Sequence, residues 1–271
     1  MTDTSTIDAA KYGPWAVIAG GSEGVGSSFA EQLAAAGINL VLLARKPGPL
    51  EETAEKVRAL GVEVRTLSVD LIAPGAVEQI RAVTDPLEVG LFIFNAGANT
   101  YANEFVTADL TKVQEVIDLN ITRQLELSQH FGALMKERGR GGIILLGSMA
   151  GYLGTEMIGI YAAAKAFSRV FAEGLWLELK AHDVDVLHLV LGVTRTPSME
   201  RHGLKMDLPG LDVAAPADVA AEGLARITEG PVWVAGGEAN FTNAKKRLGF
   251  PRGPMVEASA KASRKMMGFD E

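Results

Sequence analysis

Short apolar runs alternate along the chain with longer segments whose apolar residues recur at helical spacing. Each run is bounded by glycine, proline or charged residues, as strands and helices in an alternating fold are. The predicted strands are residues 15–19, 39–44, 63–68, 89–94, 143–146, 185–191 and 232–235. The predicted helices are residues 27–36, 49–60, 76–83, 109–138 and 161–181. This alternation predicts an α/β fold with a doubly wound parallel sheet of about seven strands and helices on both faces.

The length of 271 residues fits one large α/β domain, and no change in composition divides the chain. We therefore expect a single domain over residues 1–271 that serves both ligand binding and catalysis. Residues 1–13 are polar and are predicted to be mobile. Residues 197–211 are predicted to form a substrate lid. Residues 236–271 form a C-terminal tail that either folds over a partner subunit or stays loose.

Composition excludes several classes of site. The chain has no cysteine, which excludes disulfides, thiolate zinc sites and thiol nucleophiles. Its four histidines lack paired-ligand spacing, so no metal is expected. A net charge of −7 gives no electrostatic footprint for nucleic acid. The longest apolar runs are too short to span a bilayer and no secretory signal is visible, so we expect a cytoplasmic protein without membrane contact.

A glycine-rich turn follows the first predicted strand. It runs from Gly20 through Ser22, Glu23, Gly24 and Val25 to Gly26, with the spacing Gly-x-x-x-Gly-x-Gly, and leads into a helix. Backbone N–H groups and the positive end of the helix dipole meet at such a turn, which suits a pyrophosphate. The sequence therefore predicts a dinucleotide site here, although a tight structural loop is an alternative interpretation.

The end of the second predicted strand bears on the choice of cofactor. An acid near this position usually holds the ribose hydroxyls of NAD, whereas an arginine suits the 2′-phosphate of NADP. The strand ends at Ala44, Arg45 and Lys46, which favours NADP(H). Glu23 in the glycine turn would repel that phosphate, and Arg45 and Lys46 can also be solvated strand-end charges.

The stretch around Ser148, Tyr161 and Lys165 carries the candidate chemistry. Residues four apart share one helix face, so the Lys165 ammonium is expected beside the Tyr161 phenol and should lower its pKa. That would make Tyr161 an acid/base, while Ser148, just after a strand, could steady a substrate oxygen. The trio predicts interconversion of a carbonyl and an alcohol. The alternative is an ordinary helix with a half-buried tyrosine and a lysine that extends to water.

Three further polar residues occupy informative positions. Asp70 and Asn95 follow predicted strands, where ligands of a parallel sheet bind, although each can equally form a turn. Asn120 lies well inside a long helical pattern, where its side chain competes for backbone hydrogen bonds. A local irregularity that holds a water molecule is therefore expected at Asn120.

In their order along the chain these motifs resemble the short-chain dehydrogenase/reductase family, over roughly residues 15–235. The resemblance implies a Rossmann-type fold and a tetrad of Asn120, Ser148, Tyr161 and Lys165. It implies that Tyr161 is the acid/base, that Lys165 lowers its pKa and binds the nicotinamide ribose, and that Asn120 supports a water relaying protons. The cofactor contacts it implies are Gly20, Ser22, Glu23, Gly24, Val25, Gly26, Arg45, Lys46, Asp70, Leu71, Asn95, Ala96, Gly97, Tyr161, Lys165, Gly192, Thr194 and Thr196.

The segment after the sixth predicted strand departs from the family pattern. Leu191 stands where the family usually has proline, while Gly192 and Thr196 remain. The glycine turn and this segment, with its Thr194, are similar to those of bacterial NADP-dependent hydroxysteroid dehydrogenases. Methionine and leucine residues near Ser148 and in the lid suit a bulky apolar ligand.

The resulting hypothesis is an NADP(H)-dependent oxidoreductase that interconverts a secondary alcohol and a ketone on a bulky hydrophobic molecule such as a hydroxysteroid. Two alternatives stay open: a 3-oxoacyl thioester reductase, and a nucleotide-sensing module that kept the fold and lost turnover. The two long helices, residues 109–138 and 161–181, would form the contact of a homodimer or homotetramer.

Overall fold

A seven-stranded parallel sheet forms the centre of the protein. The computed structural model describes residues 7–98, 100–201 and 203–267. The strands are β1 Trp15–Ala19, β2 Asn39–Ala44, β3 Val64–Ser68, β4 Val89–Phe94, β5 Gly141–Ser148, β6 Val184–Leu191 and β9 Val232–Val234, and two-residue strands β7 Val193–Thr194 and β8 Val213–Ala214 pair separately. The sheet order is β3-β2-β1-β4-β5-β6-β9, with every pair parallel. The predicted doubly wound α/β fold is confirmed.

Helices cover both faces of the sheet. They are α1 Ala9–Tyr12, α2 Gly24–Ala35, α3 Pro47–Arg58, α4 Ala76–Thr84, α5 Leu110–Ile117, α6 Arg123–Arg138, α7 Gly159–Lys180, α8 Pro197–Arg201, α9 Pro216–Ala225, α10 Gly237–Arg247 and α11 Arg252–Met267. β1 and β4 are buried at every position because apolar clusters lie on both sides of the sheet. Strands buried on both faces read as continuous apolar runs, which is why their positions were predictable.

The helical pattern of residues 109–138 is interrupted at the expected asparagine. One π-helical turn, Asp118–Thr122, separates α5 from α6. The Asn120 side chain donates from Nδ2 to the Val116 carbonyl at 2.9 Å and to the Ala98 carbonyl at 2.8 Å. By bonding the backbone of the preceding turn, this side chain competes with the regular helical ladder, as the sequence predicts.

The N-terminal region differs from the expectation of a mobile start. Asp8 caps α1 through its side chain, and the buried Tyr12 donates from its hydroxyl to Asp185 Oδ2 at 2.6 Å. Lys11 forms ion pairs with Asp183 and Asp185. The sequence predicts a mobile start, whereas in the structure a buried aromatic ring attaches residues 7–13 to the sheet. Residues 1–6 lie outside the described residues.

The C-terminal region is helical and packs on its own chain. Arg247 donates to the Met149 carbonyl at 3.2 Å, and Arg252 donates to the Tyr152 carbonyl at 3.0 Å. These carbonyls belong to a 3₁₀ helix, Met149–Tyr152, which directly follows β5. The sequence leaves open a loose tail or one that folds over a partner subunit; in the structure the two arginines join residues 237–267 to the segment after Ser148.

The predicted lid, residues 197–211, contains α8 and is joined to α11 by a hydrogen bond from the Lys205 N–H to the Met266 carbonyl at 3.0 Å. An ion pair between Arg264 and Glu156 joins α11 to the segment before α7. The C-terminal helix α11 therefore contacts both the predicted lid and the segment before α7. His202, which the sequence places in the lid, lies outside the described residues.

Candidate active site

The predicted site residues gather at the carboxyl ends of β1, β4 and β5. Gly20 follows β1, Asn95 follows β4, and Ser148 is the last residue of β5. The strand order reverses between β1 and β4, and the crevice at such a reversal is where open α/β sheets bind ligands. Residues from distant parts of the sequence therefore share one crevice.

The glycine turn permits only glycine at its key positions. Gly20 and Gly24 have φ values of +85° and +60°, and a Cβ on Gly26 would lie 1.9 Å from the Gly20 carbonyl oxygen. Glu23, at the N-cap of α2, makes no side-chain capping bond to the first helical turn. The N–H groups of that turn are thus available to an anion, and the turn fits a pyrophosphate.

Asn95 makes structural contacts in addition to the ligand contact that its position predicts. Its Nδ2 donates to the Gly20 carbonyl at 2.8 Å, and the Asn95 N–H donates to the Ala19 carbonyl at 2.9 Å. A Cβ on Gly20 would lie 3.0 Å from the Ala96 backbone. Asn95 and Ala96 therefore brace the glycine turn from the neighbouring strand, and this use of the Asn95 amide was not predicted.

The end of β2 and the turn after β3 carry three of the predicted polar residues. Arg45 and Lys46 directly follow β2, and both side chains are exposed. Exposed Asp70 accepts a hydrogen bond from the Ile72 N–H at 3.3 Å, and the Leu71 carbonyl accepts one from Arg123. Asp70 thus shapes the turn after β3 while remaining open to a ligand.

Lys165, Asn120 and Gly97 meet at the centre of the site. Lys165 is 3% exposed and donates from Nζ to the Leu146 carbonyl at 2.9 Å. A Cβ on Gly97 would lie 2.5 Å from Lys165 Nζ and 2.7 Å from Asn120 Oδ1. Asn120 Oδ1 is buried and has no hydrogen-bond partner among the described residues. A buried acceptor beside an ammonium group suits a bridging water, so the water expected at Asn120 stays a prediction.

Tyr161 lies beside both Ser148 and Lys165. Ser148 lies next to the phenol, and Lys165 Nζ lies 5.6 Å from the centre of the Tyr161 ring. Burial raises the pKa of Tyr161 above its usual value, although the polar side chain of Ser148 acts in the opposite direction. Burial also lowers the pKa of Lys165 to about 8. The sequence predicts that Lys165 lowers the pKa of Tyr161, whereas in the structure the pKa of Tyr161 is raised by burial and the Lys165 ammonium bonds to the Leu146 carbonyl.

The segment after β6 closes over the glycine turn. A Cβ on Gly24 would lie 3.0 Å from Thr196 Cγ2, and Thr196 Oγ1 accepts from the Met199 N–H at 3.2 Å in the first turn of α8. Thr194 is buried, and its hydroxyl donates to the Gly192 carbonyl at 3.3 Å. Thr196 thus lies against the glycine turn. Thr194 stabilises the loop that follows Leu191.

Two polar residues near the site were missed. Arg201, at the end of α8, pairs with Glu23 of the glycine turn. His188 on β6 is 1% exposed, and a Cβ on Gly147 would lie 2.2 Å from its ring. Burial, followed by the charges of Lys165 and Arg169, lowers the pKa of His188 to about 3. A lone histidine in an apolar strand gave a signal for burial, but no local pattern connects Arg201 to Glu23.

A cavity of about 290 Å³ lies beside the start of α7. Tyr101, Val113 and Met157 are among its lining residues. Met157 lines this cavity, whereas Met149 and Tyr152, which lie closer to Ser148 in the sequence, are buried in the body of the protein. The apolar segment before Tyr161 is therefore shared between pocket wall and core.

Metal and membrane sites were also considered. Over residues 7–98, 100–201 and 203–267, no three histidine, aspartate or glutamate side chains are grouped to hold a metal ion. Among the helices in these same ranges, none has the length and apolar character that crossing a bilayer requires.

Comparison with known proteins gives a consistent family. Residues 14–206 match the family model described as short chain dehydrogenase. The chain is 33% identical over 201 residues to a 7beta-hydroxysteroid dehydrogenase of Collinsella aerofaciens, covering 74% of each chain. It is 30% identical over 205 residues to a very-long-chain 3-oxoacyl-CoA reductase of Podospora anserina, covering 74% of this chain and 60% of that protein. A solved structure from work on 7beta-hydroxysteroid dehydrogenase stereoselectivity superposes with a TM-score of 0.84 at 26% identity, covering 93% of this chain and 98% of that one.

Proposed function

The chain belongs to the short-chain dehydrogenase family, and on that premise we propose that it interconverts a secondary alcohol and a ketone with NADP(H). Members of this family are oxidoreductases that use a nicotinamide cofactor. The observation that carries the proposal is the contact of Tyr161 with both Ser148 and Lys165, next to Asn120. These groups can hold a reacting oxygen and move its proton.

Each residue of the tetrad has a task that follows from its contacts. A nicotinamide cofactor held at the glycine turn would supply or accept the hydride. Tyr161 exchanges a proton with the substrate oxygen, and Ser148 donates a hydrogen bond that stabilises that oxygen as charge develops on it. Lys165 and the buried Asn120 Oδ1 border the space at Gly97 where a water molecule can pass the proton onward.

The choice of NADP(H) rests on the end of β2. Arg45 and Lys46 are exposed there, and a guanidinium can bind a phosphate through two parallel hydrogen bonds. The position before them is Ala44, so no acid at that point competes for the ribose hydroxyls.

The substrate we propose is a bulky apolar alcohol or ketone, with hydroxysteroids as the first class to test. Support comes from the similarity to a protein named as a 7beta-hydroxysteroid dehydrogenase and from the apolar cavity beside α7. A 3-oxoacyl thioester is a second candidate, because the chain also resembles a very-long-chain 3-oxoacyl-CoA reductase.

A self-associated state is also proposed, through α7 and the α5–α6 segment. Val170 is 57% and Leu177 69% exposed on α7, and the Phe167 and Phe171 rings stack at 6.1 Å. Exposed apolar side chains along one helix favour contact with a second copy. Sedimentation of the native protein and of Val170→Arg tests this, since a monomeric native protein would contradict the proposal.

A paired titration of NADPH and NADH by fluorescence tests the function, on the native protein and on Arg45→Ala. Lys56→Ala, an exposed cation further along α3, is the matched control. We expect the native protein and the control to prefer NADPH, and Arg45→Ala to lose that preference. Absence of binding by either nucleotide would overturn the enzymatic proposal.

Turnover of a hydroxysteroid, an aryl ketone, a short aliphatic ketone and a 3-oxoacyl thioester then tests the substrate class. We expect the steroid to give the highest kcat/KM. Highest kcat/KM with the thioester would support the second candidate, and preference for the short ketone would contradict both.

A further inference from the structure

An ion pair joins the glycine turn to the lid across 178 residues of sequence. Arg201 Nη1 donates to Glu23 Oε2 at 2.9 Å, and Arg201 Nη2 donates to Glu23 Oε1. Two parallel bonds from one guanidinium fix orientation better than a single contact does. The carboxylate and the guanidinium are 28% and 45% exposed, so the pair lies at the rim of the crevice.

Packing next to the pair keeps the lid helix in place. Thr196, just before α8, has its Cγ2 3.0 Å from where a Cβ on Gly24 would lie. Glu23 and Gly24 are adjacent in the glycine turn. Thr196, just before α8, lies against Gly24, and Arg201, the last residue of α8, pairs with Glu23. The position of Arg201 is therefore set by two contacts.

The pair lies near Lys46, one of the two cations proposed to bind the 2′-phosphate. Arg201 first, and then Lys46, lower the pKa of Glu23. Glu23 is therefore ionised near neutral pH and lies within electrostatic range of Lys46. A carboxylate in that place opposes a phosphate that carries negative charge, unless another group neutralises it.

We propose that Arg201 is a specificity-determining residue for the phosphorylated cofactor, because its two-bond pair with Glu23 neutralises a carboxylate within electrostatic range of Lys46, which follows Arg45 in the chain. This inference rests on the proposed use of NADP(H). The side chains of Glu23, Arg45, Lys46 and Arg201 together carry a net charge of two positive units. Without Arg201 the net charge of the other three is one positive unit. NADH has no 2′-phosphate, so its binding should be insensitive to the pair.

The test is a binding cycle with Arg201→Ala, Glu23→Gln and the double variant, each titrated with NADPH and NADH. We expect Arg201→Ala to weaken NADPH binding by about tenfold and leave NADH nearly unchanged. Adding Glu23→Gln should restore NADPH binding, because the amide carries no charge. The loss in Arg201→Ala should shrink in high salt.

Arg195→Ala is the matched control, because Arg195 also forms a lid ion pair, with Asp207 at 2.5 Å, and that pair is exposed. We expect this variant to bind both nucleotides as the native protein does. Thermal unfolding of each apo variant, followed by circular dichroism, checks that the fold is kept.

Equal weakening of NADPH and NADH in Arg201→Ala would overturn the inference, since Arg201 would then only hold the lid. Failure of Glu23→Gln to rescue NADPH binding would overturn it as well. A native protein that prefers NADH would instead refute the proposed cofactor, and the native titration alone reveals that case.

Discussion

Lys165 Nζ lies 5.6 Å from the centre of the Tyr161 ring, yet it donates its hydrogen bond to the Leu146 carbonyl at 2.9 Å. Lys165 is therefore hydrogen-bonded to β5 and also lies next to the phenol. The Leu146 carbonyl of β5 holds the Lys165 ammonium beside Tyr161. A substitution at Tyr161 should therefore leave Lys165 in place.

Replacing Tyr161 by phenylalanine removes the hydroxyl and keeps the ring next to Lys165. We expect kcat to fall by about 10²–10⁴, the range for loss of an acid/base group. NADPH affinity should stay close to that of the native protein, because the ring and Lys165 remain. Steady-state kinetics and a binding titration measure the two effects, and an unchanged kcat would refute the assignment of Tyr161.

Lys165→Met should stabilise the apo protein at neutral pH. The pKa of Lys165 is about 8 when folded and about 10.5 as a free side chain, so burial of the charged form opposes folding below pH 8. Between pH 8 and 10.5 the unfolded chain binds more protons, so native stability rises with pH, by at most about 1.4 kcal/mol per unit.

Urea unfolding of the native protein and Lys165→Met at pH 7 and pH 10 measures that difference. The advantage of the methionine variant should narrow at the higher pH. A constant difference at both pH values would show that the lysine is not desolvated as the structure indicates.

Acid should destabilise the protein through His188. The pKa of this imidazole falls to about 3 on folding because of burial, so below about pH 6.5 only the unfolded chain takes up the proton. Stability contributed by neutral His188 is thus present above pH 6.5 and lost as the pH falls toward 3. In His188→Gln, the slope of unfolding free energy against pH should decrease over that window, and an identical slope would contradict the prediction.

Gly97→Ala should abolish activity by placing a methyl group against two site residues. The added Cβ would lie 2.5 Å from Lys165 Nζ and 2.7 Å from Asn120 Oδ1, closer than real contacts allow. Gly253→Ala on α11 is the control, because a Cβ there meets nothing within 4 Å. We expect the control to keep native kcat, and equal activity of both variants would show that the Lys165–Asn120 space is not used.

Arg247→Met should change substrate binding more than turnover. Arg247 and Arg252 bind the carbonyls of the 3₁₀ helix after Ser148, and an unpaired carbonyl would loosen that segment. We expect KM for the substrate to rise several-fold with a smaller change in kcat, while exposed Lys246→Met leaves both unchanged. A fall in kcat at constant KM would instead place Arg247 among the residues that act on the reaction itself.

Much of the fold could be predicted from the sequence because its signals are local. Buried parallel strands such as β1 and β4 read as unbroken apolar runs, and a glycine turn between a strand and a helix marks the cofactor crevice. The irregularity at Asn120 was also predictable, because an asparagine inside a helix competes with its own backbone.

Other features could not be predicted because they depend on distant partners. Residues 9–12 looked like a loose start, but Tyr12 becomes buried by contact with Asp185, far away in sequence. The C-terminal tail has little apolar periodicity, and its arginines find carbonyl partners only after the chain has folded. Hydrogen bonds between segments so far apart leave no periodic trace along the chain.

The sequence by itself determined the order of the strands and helices, the glycine turn and the identities of Asn120, Ser148, Tyr161 and Lys165, since backbone preference and apolar period are properties of neighbouring residues. Only the tertiary structure decided the protonation of the site and the pairing of Glu23 with Arg201. Desolvation raises the pKa of Tyr161 and lowers that of Lys165, and it is set by all the atoms packed around each group, whichever segment they come from.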